Sequence, residues 1–92
     1  MSGAKFSAGH IVATPGALEA FDASGESPLT FLKRHLAGDW GELDDDDVRE
    51  NELSLQHGWR ILSSYRLRTG VKFWVLTEGD RSATTFLLPA EY

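Results

Sequence analysis

The chain contains no cysteine among its 92 residues. This absence excludes disulfide bonds, cysteine-ligated zinc and thiol catalysis. Long apolar runs are missing as well, so nothing in the sequence matches a membrane-spanning helix of roughly 18 or more apolar residues. The segment from Met1 to Ala13 includes one lysine and lacks the apolar centre of a signal peptide. We therefore expect a cytoplasmic protein that makes no membrane contact.

The local motifs of several common enzyme classes are also missing. The glycines form neither the dinucleotide-binding G-x-G-x-x-G pattern nor a P-loop, and no G-x-S-x-G pattern occurs. The three histidines, His10, His35 and His57, are too far apart in sequence for an H-x-x-x-H metal site. We therefore expect a protein that is not an enzyme and that has no cofactor and no metal site.

Apolar residues make up 41% of the chain and aromatic residues 11%. This share is sufficient for a hydrophobic core, and a chain of this length has room for one core only. We find no internal repeat and no linker between domains. The sequence therefore predicts a flexible N-terminus over residues 1–8 and a single α+β domain over residues 9–92.

Three helix starts can be recognised in the first sixty residues. Thr14-Pro15 and Ser27-Pro28 each place a hydroxyl N-cap before a proline, which is tolerated there because the first helical amide has no partner. A third helix is predicted to begin at Asp44. The predicted helix ends are Gly25, Gly38 and Gly58.

The spacing of apolar residues predicts the buried side of each helix. The predicted buried residues are Leu18 and Phe21 in the first helix and Leu29, Leu32 and Leu36 in the second. In the third helix the corresponding face is Val48, Glu52 and Leu55, which is only partly apolar. We therefore expect the third helix to lie at the surface.

From residue 59 onward the apolar pattern changes to a period of two. Residues 59–68, 71–77 and 82–88 are rich in aromatic and β-branched residues and are separated by glycine-containing turns. This pattern predicts a C-terminal three-stranded antiparallel β-meander. A short additional strand is predicted around Ile11 and Val12.

The length of the first turn decides which side chains share a face of this sheet. A three-residue turn puts Tyr65, Leu67, Phe73, Val75, Phe86 and Leu88 on one face. The opposite face then carries Arg66, Arg68, Lys72, Trp74, Thr85 and Leu87. A two-residue turn would instead place Tyr65 opposite Trp74. We prefer the first register because it separates apolar from cationic residues.

The chain has a net charge of −5, and its most conspicuous charged feature is an acidic run in the middle of the sequence. The candidate partner-binding acids are Asp44, Asp45, Asp46, Asp47, Glu50 and Glu52. One interpretation is that these acids start a helix and complement its dipole. The alternative is an acidic surface that faces a partner, in its sharper form an imitation of the DNA phosphate backbone. Metal binding is disfavoured because neighbouring helical residues point in different directions.

A second candidate surface combines cations with an aromatic side chain. Arg66, Arg68, Lys72 and Trp74 are the residues predicted to share it. Such an arrangement can bind a protein, or stack the bases of single-stranded nucleic acid. The alternative is that a helix covers Trp74 while the charged side chains extend to water.

The chain resembles a family of short bacterial plasmid-related proteins. The segments that carry the likeness are 38–41, 49–52, 77–82 and 87–92, and the likeness extends over nearly the whole chain from Ile11. Some members are labelled as a type I restriction enzyme methylation subunit. DNA methyltransferases need a glycine-rich turn and an Asn-Pro-Pro-aromatic type motif, whereas the three prolines of this chain are all isolated. The resemblance therefore implies a link to mobile elements, without catalytic residues.

Together these observations predict a non-catalytic binding or regulatory accessory protein of a plasmid, phage or related element, acting through protein contact. One alternative is an acidic DNA-mimic inhibitor of restriction or CRISPR machinery. Another is a weak single-stranded nucleic-acid binder that uses the sheet face, although the overall acidity makes nucleic acid an unlikely partner. The sequence leaves open the identity of the partner and whether an exposed sheet edge pairs two copies of the chain.

Overall fold

A computed structural model describes residues 3–92 of the chain. Their elements, in chain order, are β1 (His10–Ala13), α1 (Pro15–Ser24), α2 (Pro28–Leu36), α3 (Asp45–His57), β2 (Ile61–Arg66), β3 (Lys72–Thr77), β4 (Ala83–Leu87) and a 3-10 turn (Pro89–Glu91). The predicted α+β class is confirmed. None of the helices in the described part of the chain has the length and apolar character to cross a membrane.

The helices begin where their N-caps predict. The side chains of Thr14, Ser27 and Asp44 accept hydrogen bonds from the amides of Ala17, Leu29 and Asp47, respectively. These bonds satisfy amides that have no partner inside the helix. Helices α1 and α3 end at glycines in the left-handed conformation, a common helix C-terminal arrangement.

The sheet has four strands in the order β1-β4-β3-β2. Strands β2, β3 and β4 pair antiparallel, and Tyr65 lies opposite Phe73, which is the register of the three-residue turn. The predicted antiparallel meander describes only part of the sheet, because the short strand expected around Ile11 and Val12 joins it as β1 and pairs parallel to β4. Helices α1 and α2 lie in the connection that leaves β1, and parallel strands require a long connection of this kind.

The hydrophobic core lies between α1, α2 and one face of the sheet. The buried core residues are Ala17, Phe21, Phe31, Tyr65, Leu67, Phe73, Val75 and Phe86. The rings of Phe21 and Phe31 each lie 4.9 Å from the ring of Phe73, centroid to centroid. Leu88, predicted for this face, packs against the core while only partly buried.

Two of the predicted buried leucines lie at the surface. Leu18 is 56% exposed and Leu29 is 63% exposed, so these predictions are wrong. Phe31 and His35 are the buried residues of α2 instead. An aromatic ring buries more apolar area than a leucine, and the ring of Phe73 on β3 is available to pack against Phe31. This packing leaves Leu29 exposed, while Leu32 stays partly buried against the core.

The outer edge of β2 is closed by other parts of the chain. The amide of Ser64 donates to the carbonyl oxygen of Trp40 at 3.0 Å, and the amide of Glu42 donates to the carbonyl oxygen of Ser64 at 2.6 Å. The side-chain amide of Asn51 bonds both the N–H and the C=O of Leu62, at 3.1 and 2.7 Å. Such coverage protects an edge strand from pairing with another chain.

Residues 3–8 form no helix or strand but contact the rest of the molecule. The Phe6 ring lies edge-on to the ring of His35 at 5.2 Å. The amide of Lys5 donates to the carbonyl oxygen of Leu36 at 2.7 Å. The predicted flexibility of residues 1–8 stays a prediction, and its first two residues, Met1 and Ser2, lie outside the described residues.

Candidate partner-binding face of the sheet

The face of the sheet opposite α1 and α2 is the candidate binding surface. We call it the outer face; its strand residues are Leu62, Ser64, Arg66, Lys72, Trp74, Leu76, Thr85 and Leu87. The face is defined by the register, which places Trp74 opposite Ser64 and Leu87, since directly opposite residues point the same way. Arg66, Lys72 and Trp74 therefore share a face, as the sequence predicts.

The outer face contains an open apolar depression of about 290 Å³. Its lining residues are Arg60, Leu62, Trp74, Leu76 and Tyr92. The residue that shields Trp74 is Tyr92 at the C-terminal end, whose ring meets the indole edge-on at 5.7 Å. The alternative prediction, a helix over Trp74, does not describe this arrangement.

Arg60 forms a cationic wall of the depression. Its Nη1 donates to the hydroxyl of Tyr92 at 2.9 Å, and its guanidinium carbon lies 6.0 Å from the centre of the Tyr92 ring. The guanidinium therefore holds the Tyr92 ring in place through a hydrogen bond and a cation–π contact. An anionic group bound beside Tyr92 would find this guanidinium within reach.

Two further cations lie at one end of the outer face. Arg66 and Lys72 are directly opposite each other across β2 and β3. Arg66 is held by the Glu42 carboxylate, with an Nη2–Oε1 distance of 3.3 Å, and donates through Nη1 to the carbonyl oxygen of Gly70. Like charges placed opposite each other in a sheet destabilise it slightly. A bound anion near Lys72 would relieve this repulsion.

Arg68 is not part of the outer face. Strand β2 ends at Arg66, so Arg68 lies in the following turn. Its amide donates to Glu26 Oε2 at 2.9 Å, and its Nε lies 3.7 Å from the same oxygen. The carboxylate of Glu26 thus fixes the turn, and the sequence-based assignment of Arg68 to the same face as Trp74 is wrong.

The six candidate acids all lie on or next to α3, and several of them have contacts within the protein. Asp44 is the N-cap, Glu52 accepts a hydrogen bond from the indole N–H of Trp40 at 3.1 Å, and Asp46 pairs with Arg49. Asp45, Asp46 and Asp47 occupy the first turn, where negative charge complements the helix dipole. The remaining candidate, Glu50, is exposed in the middle of the helix.

A buried polar chain crosses the core, and sequence reasoning missed it. His35 is fully buried; its Nδ1 lies 2.5 Å from Ser63 Oγ and its Nε2 lies 2.8 Å from Thr77 Oγ1. Thr77 Oγ1 lies 2.7 Å from Thr84 Oγ1, and Thr84 donates to the carbonyl oxygen of Ala8 at 2.8 Å. The signal in the sequence was the set of hydroxyl residues at core-facing strand positions.

The direction of this chain fixes the histidine tautomer. Because Thr84 donates to a carbonyl, its oxygen accepts from Thr77, and Thr77 in turn accepts from the Nε2–H of His35. The Nδ1 atom is then the acceptor for Ser63. Burial lowers the pKa of His35 to about 4, because the charged imidazolium would lose its hydration. The Ser63–His35 pair is enclosed in the core, where no substrate reaches it.

Among residues 3–92, no group of three or more His, Asp and Glu side chains is arranged to hold a metal ion. Comparisons with protein-family models, curated proteins and solved structures found no match to this chain.

Proposed function

We propose that the chain is a non-catalytic binding protein that contacts a partner protein through the outer face. The observation that carries the proposal is the open apolar depression between Trp74 and Tyr92. Trp74 is partly buried there and Tyr92 is exposed. Aromatic rings that line an open depression are typical anchor points of protein interfaces, since Trp and Tyr are enriched among the residues that dominate binding energy.

The charges around the depression indicate the chemistry of the partner. Arg60 borders the depression, and Lys72 lies on the same face as Trp74, two residues earlier in β3. A partner segment with an apolar side chain and neighbouring acidic residues fits this combination, since the side chain would enter the depression while the carboxylates approach the cations. The resemblance to plasmid-related proteins points to a partner connected with a mobile element.

Protein binding accounts for the outer face better than single-stranded nucleic acid does. Of the four predicted contact residues, Arg66 is paired with Glu42, and Arg68 lies in the turn beside Glu26. Nucleic-acid grooves depend on several free cations along the backbone path. Here the cations are partly neutralised by the protein's own carboxylates, and the overall charge is negative.

Affinity capture with matched variants tests the proposal. The immobilised chain is exposed to a lysate of the cell that encodes it, beside Trp74→Ala, Tyr92→Ala and the control Trp59→Ala. Trp59 is 50% exposed and does not line the depression. A partner retained by the wild type and by Trp59→Ala, but lost from the other two variants, supports the proposal. If Trp74→Ala and Tyr92→Ala retain every partner that the wild type retains, the proposal is contradicted.

The second candidate for the binding surface is the acidic surface of α3, which would act as a mimic of DNA. The test is a variant with Asp45→Asn, Asp47→Asn and Glu50→Gln, which leaves the contacts of Asp44, Asp46 and Glu52 intact. If the captured partner is a DNA-binding enzyme and only this variant loses it, the α3 surface is the interface. If the variant keeps the partner, the outer face is favoured.

A further inference from the structure

Strand β1 has one edge that is paired and one that faces outward. In the sheet order β1 is terminal and its neighbour is β4. The amides of His10 and Thr14 donate to the carbonyl oxygens of Ser82 and Phe86 on β4, both at 3.0 Å. Because successive residues of a strand direct their backbone groups to opposite sides, Ile11 and Ala13 direct theirs outward. Ile11 is 51% exposed and Val12 is 47% exposed.

This edge differs from the β2 edge at the other side of the sheet. The β2 edge is closed by residues 40–42 and by the side chain of Asn51. Around β1, residues 6–18 include no Lys, Arg, Asp or Glu, although a quarter of the whole chain is charged. Natural edge strands usually carry charges, prolines or bulges that prevent pairing with another chain. The β1 strand carries none of these three devices, and its length of four residues is the feature that limits pairing at this edge.

We propose that the outward edge of β1 pairs with the same strand of a second copy of this chain. The two strands run antiparallel about a two-fold axis that passes between the two Val12 residues. Ile11 of each copy lies opposite Ala13 of the other, and each such pair exchanges both backbone hydrogen bonds. The result is one continuous sheet across both copies, with the Val12 side chains in contact at the axis.

The backbone selects this register over its neighbour. Centring the axis on Ile11 would pair Ala13 with Gly9 of the other copy. Gly9 has a φ of +65° and is therefore not extended, so it cannot continue the ladder. The proposed register needs only residues 11–13, all of which lie within β1.

A polar contact across the proposed axis favours a second copy as the occupant of the edge. Across the proposed axis, His10 lies opposite Thr14 of the second copy, with both side chains on the outer-face side. The hydroxyl of Thr14 donates to Glu91 Oε1 at 2.5 Å. The imidazole of His10 is thereby brought towards the exposed carboxylate of Glu91 in the second copy, and the two-fold axis repeats this contact.

The short strand limits the strength of the association. Four residues of β1 in each copy cover less area than the roughly 1,000 Å² expected of a stable interface. We therefore expect a reversible dimer with a Kd of about 10 µM to 1 mM. In such a dimer the outer faces of the two copies lie on the same side of the joined sheet.

Sedimentation equilibrium with charge variants tests the proposed axis. Over about 10 µM to 1 mM protein, the wild type is expected to self-associate, and Val12→Lys and Val12→Glu are each expected to weaken this at least about tenfold. An equimolar mixture of the two variants should recover association, because opposite charges then meet at the axis. The control Leu53→Lys changes an apolar side chain on α3 that is 44% exposed, and it should associate like the wild type.

Amide exchange of the wild type provides a readout that does not depend on a variant folding. Raising the protein concentration should slow exchange at Ile11 and Ala13. The Thr14 amide, already bonded to Phe86, should change less. A wild type that stays monomeric up to about 1 mM overturns the proposal. Association that persists unchanged in both Val12 variants overturns it as well.

Discussion

At the scale of single residues, the ionisation of His35 is linked to folding. Burial lowers the pKa of His35 to about 4, whereas an imidazole in the unfolded chain titrates near its ordinary value of 6.5. As the pH falls below about 6.5, the unfolded chain therefore takes up a proton that the folded chain excludes. The contribution of the neutral His35 to the free energy of unfolding is therefore fully present above pH 6.5 and is lost progressively as the pH falls towards 4.

We expect the free energy of unfolding to fall by about 2–3 kcal/mol between pH 7 and pH 4.5 through this group alone. Urea denaturation at several pH values measures the effect. The variant His35→Gln, which remains polar but does not titrate, separates His35 from the carboxylates. If His35→Gln loses stability with falling pH as steeply as the wild type does, the buried imidazole is not the cause.

At the scale of elements, Gly41 is required where residues 40–42 approach β2. A Cβ atom at this position would lie 2.0 Å from the carbonyl oxygen of Ser64, and the φ of Gly41 is +75°. Gly25 has nearly the same φ, +73°, but open space around it. We expect Gly25→Ala to cost about 1–2 kcal/mol from backbone strain alone, and Gly41→Ala about 3–5 kcal/mol. Thermal unfolding of both variants checks this; equal losses would mean that the close approach is unimportant.

Asn51 closes the same edge from α3. Asn51→Ala leaves the backbone N–H and C=O of Leu62 without their partners, so we expect a loss of about 1–3 kcal/mol. The variant should also aggregate faster, because an open strand edge becomes available. The control is Gln56→Ala, an exposed position of the same helix, which should stay within about 0.5 kcal/mol of the wild type. Light scattering during storage measures the second effect, and no difference between the two variants would contradict it.

The elements differ in how far the sequence predicts them, because some signals are local and others are not. The N-caps Thr14, Ser27 and Asp44 act within their own first turn, and all three helix starts were predicted. The exposure of Leu29 was not predicted, because Phe31 gains more by packing on the ring of Phe73. The parallel pairing of β1 depends on where α1 and α2 pack, which no nearby residue encodes.

The candidate site shows the same division. The register that puts Trp74 and Lys72 on one face follows from the strand alternation and the first turn, and it was predicted. The contribution of Tyr92 was missed, because it lies outside the alternating strands and its ring is placed by contacts with Arg60 and Trp74, which are distant in sequence. The position of Arg68 outside that face was missed for a similar reason, because it depends on a contact with Glu26, which lies far away in sequence.

At the scale of the whole molecule, stability should be distributed unevenly between the sheet and α3. Strand β3 lies between β2 and β4, and Phe73, Val75 and Thr77 are fully buried. Helix α3 buries only Asn51 and Ser54 among its thirteen residues, and both are polar. An element that contributes little buried apolar surface can open without unfolding the rest.

We therefore expect amides of β3 to exchange with solvent only through global unfolding, so that their exchange free energy equals the free energy of unfolding in urea. Amides in the middle of α3 should exchange through local opening, at a free energy lower by at least about 1–2 kcal/mol. Native-state hydrogen exchange in low urea distinguishes the two routes, since local opening depends weakly on denaturant and global unfolding depends strongly. Equal exchange free energies for β3 and α3 would contradict this expectation and show that the helix unfolds only together with the sheet.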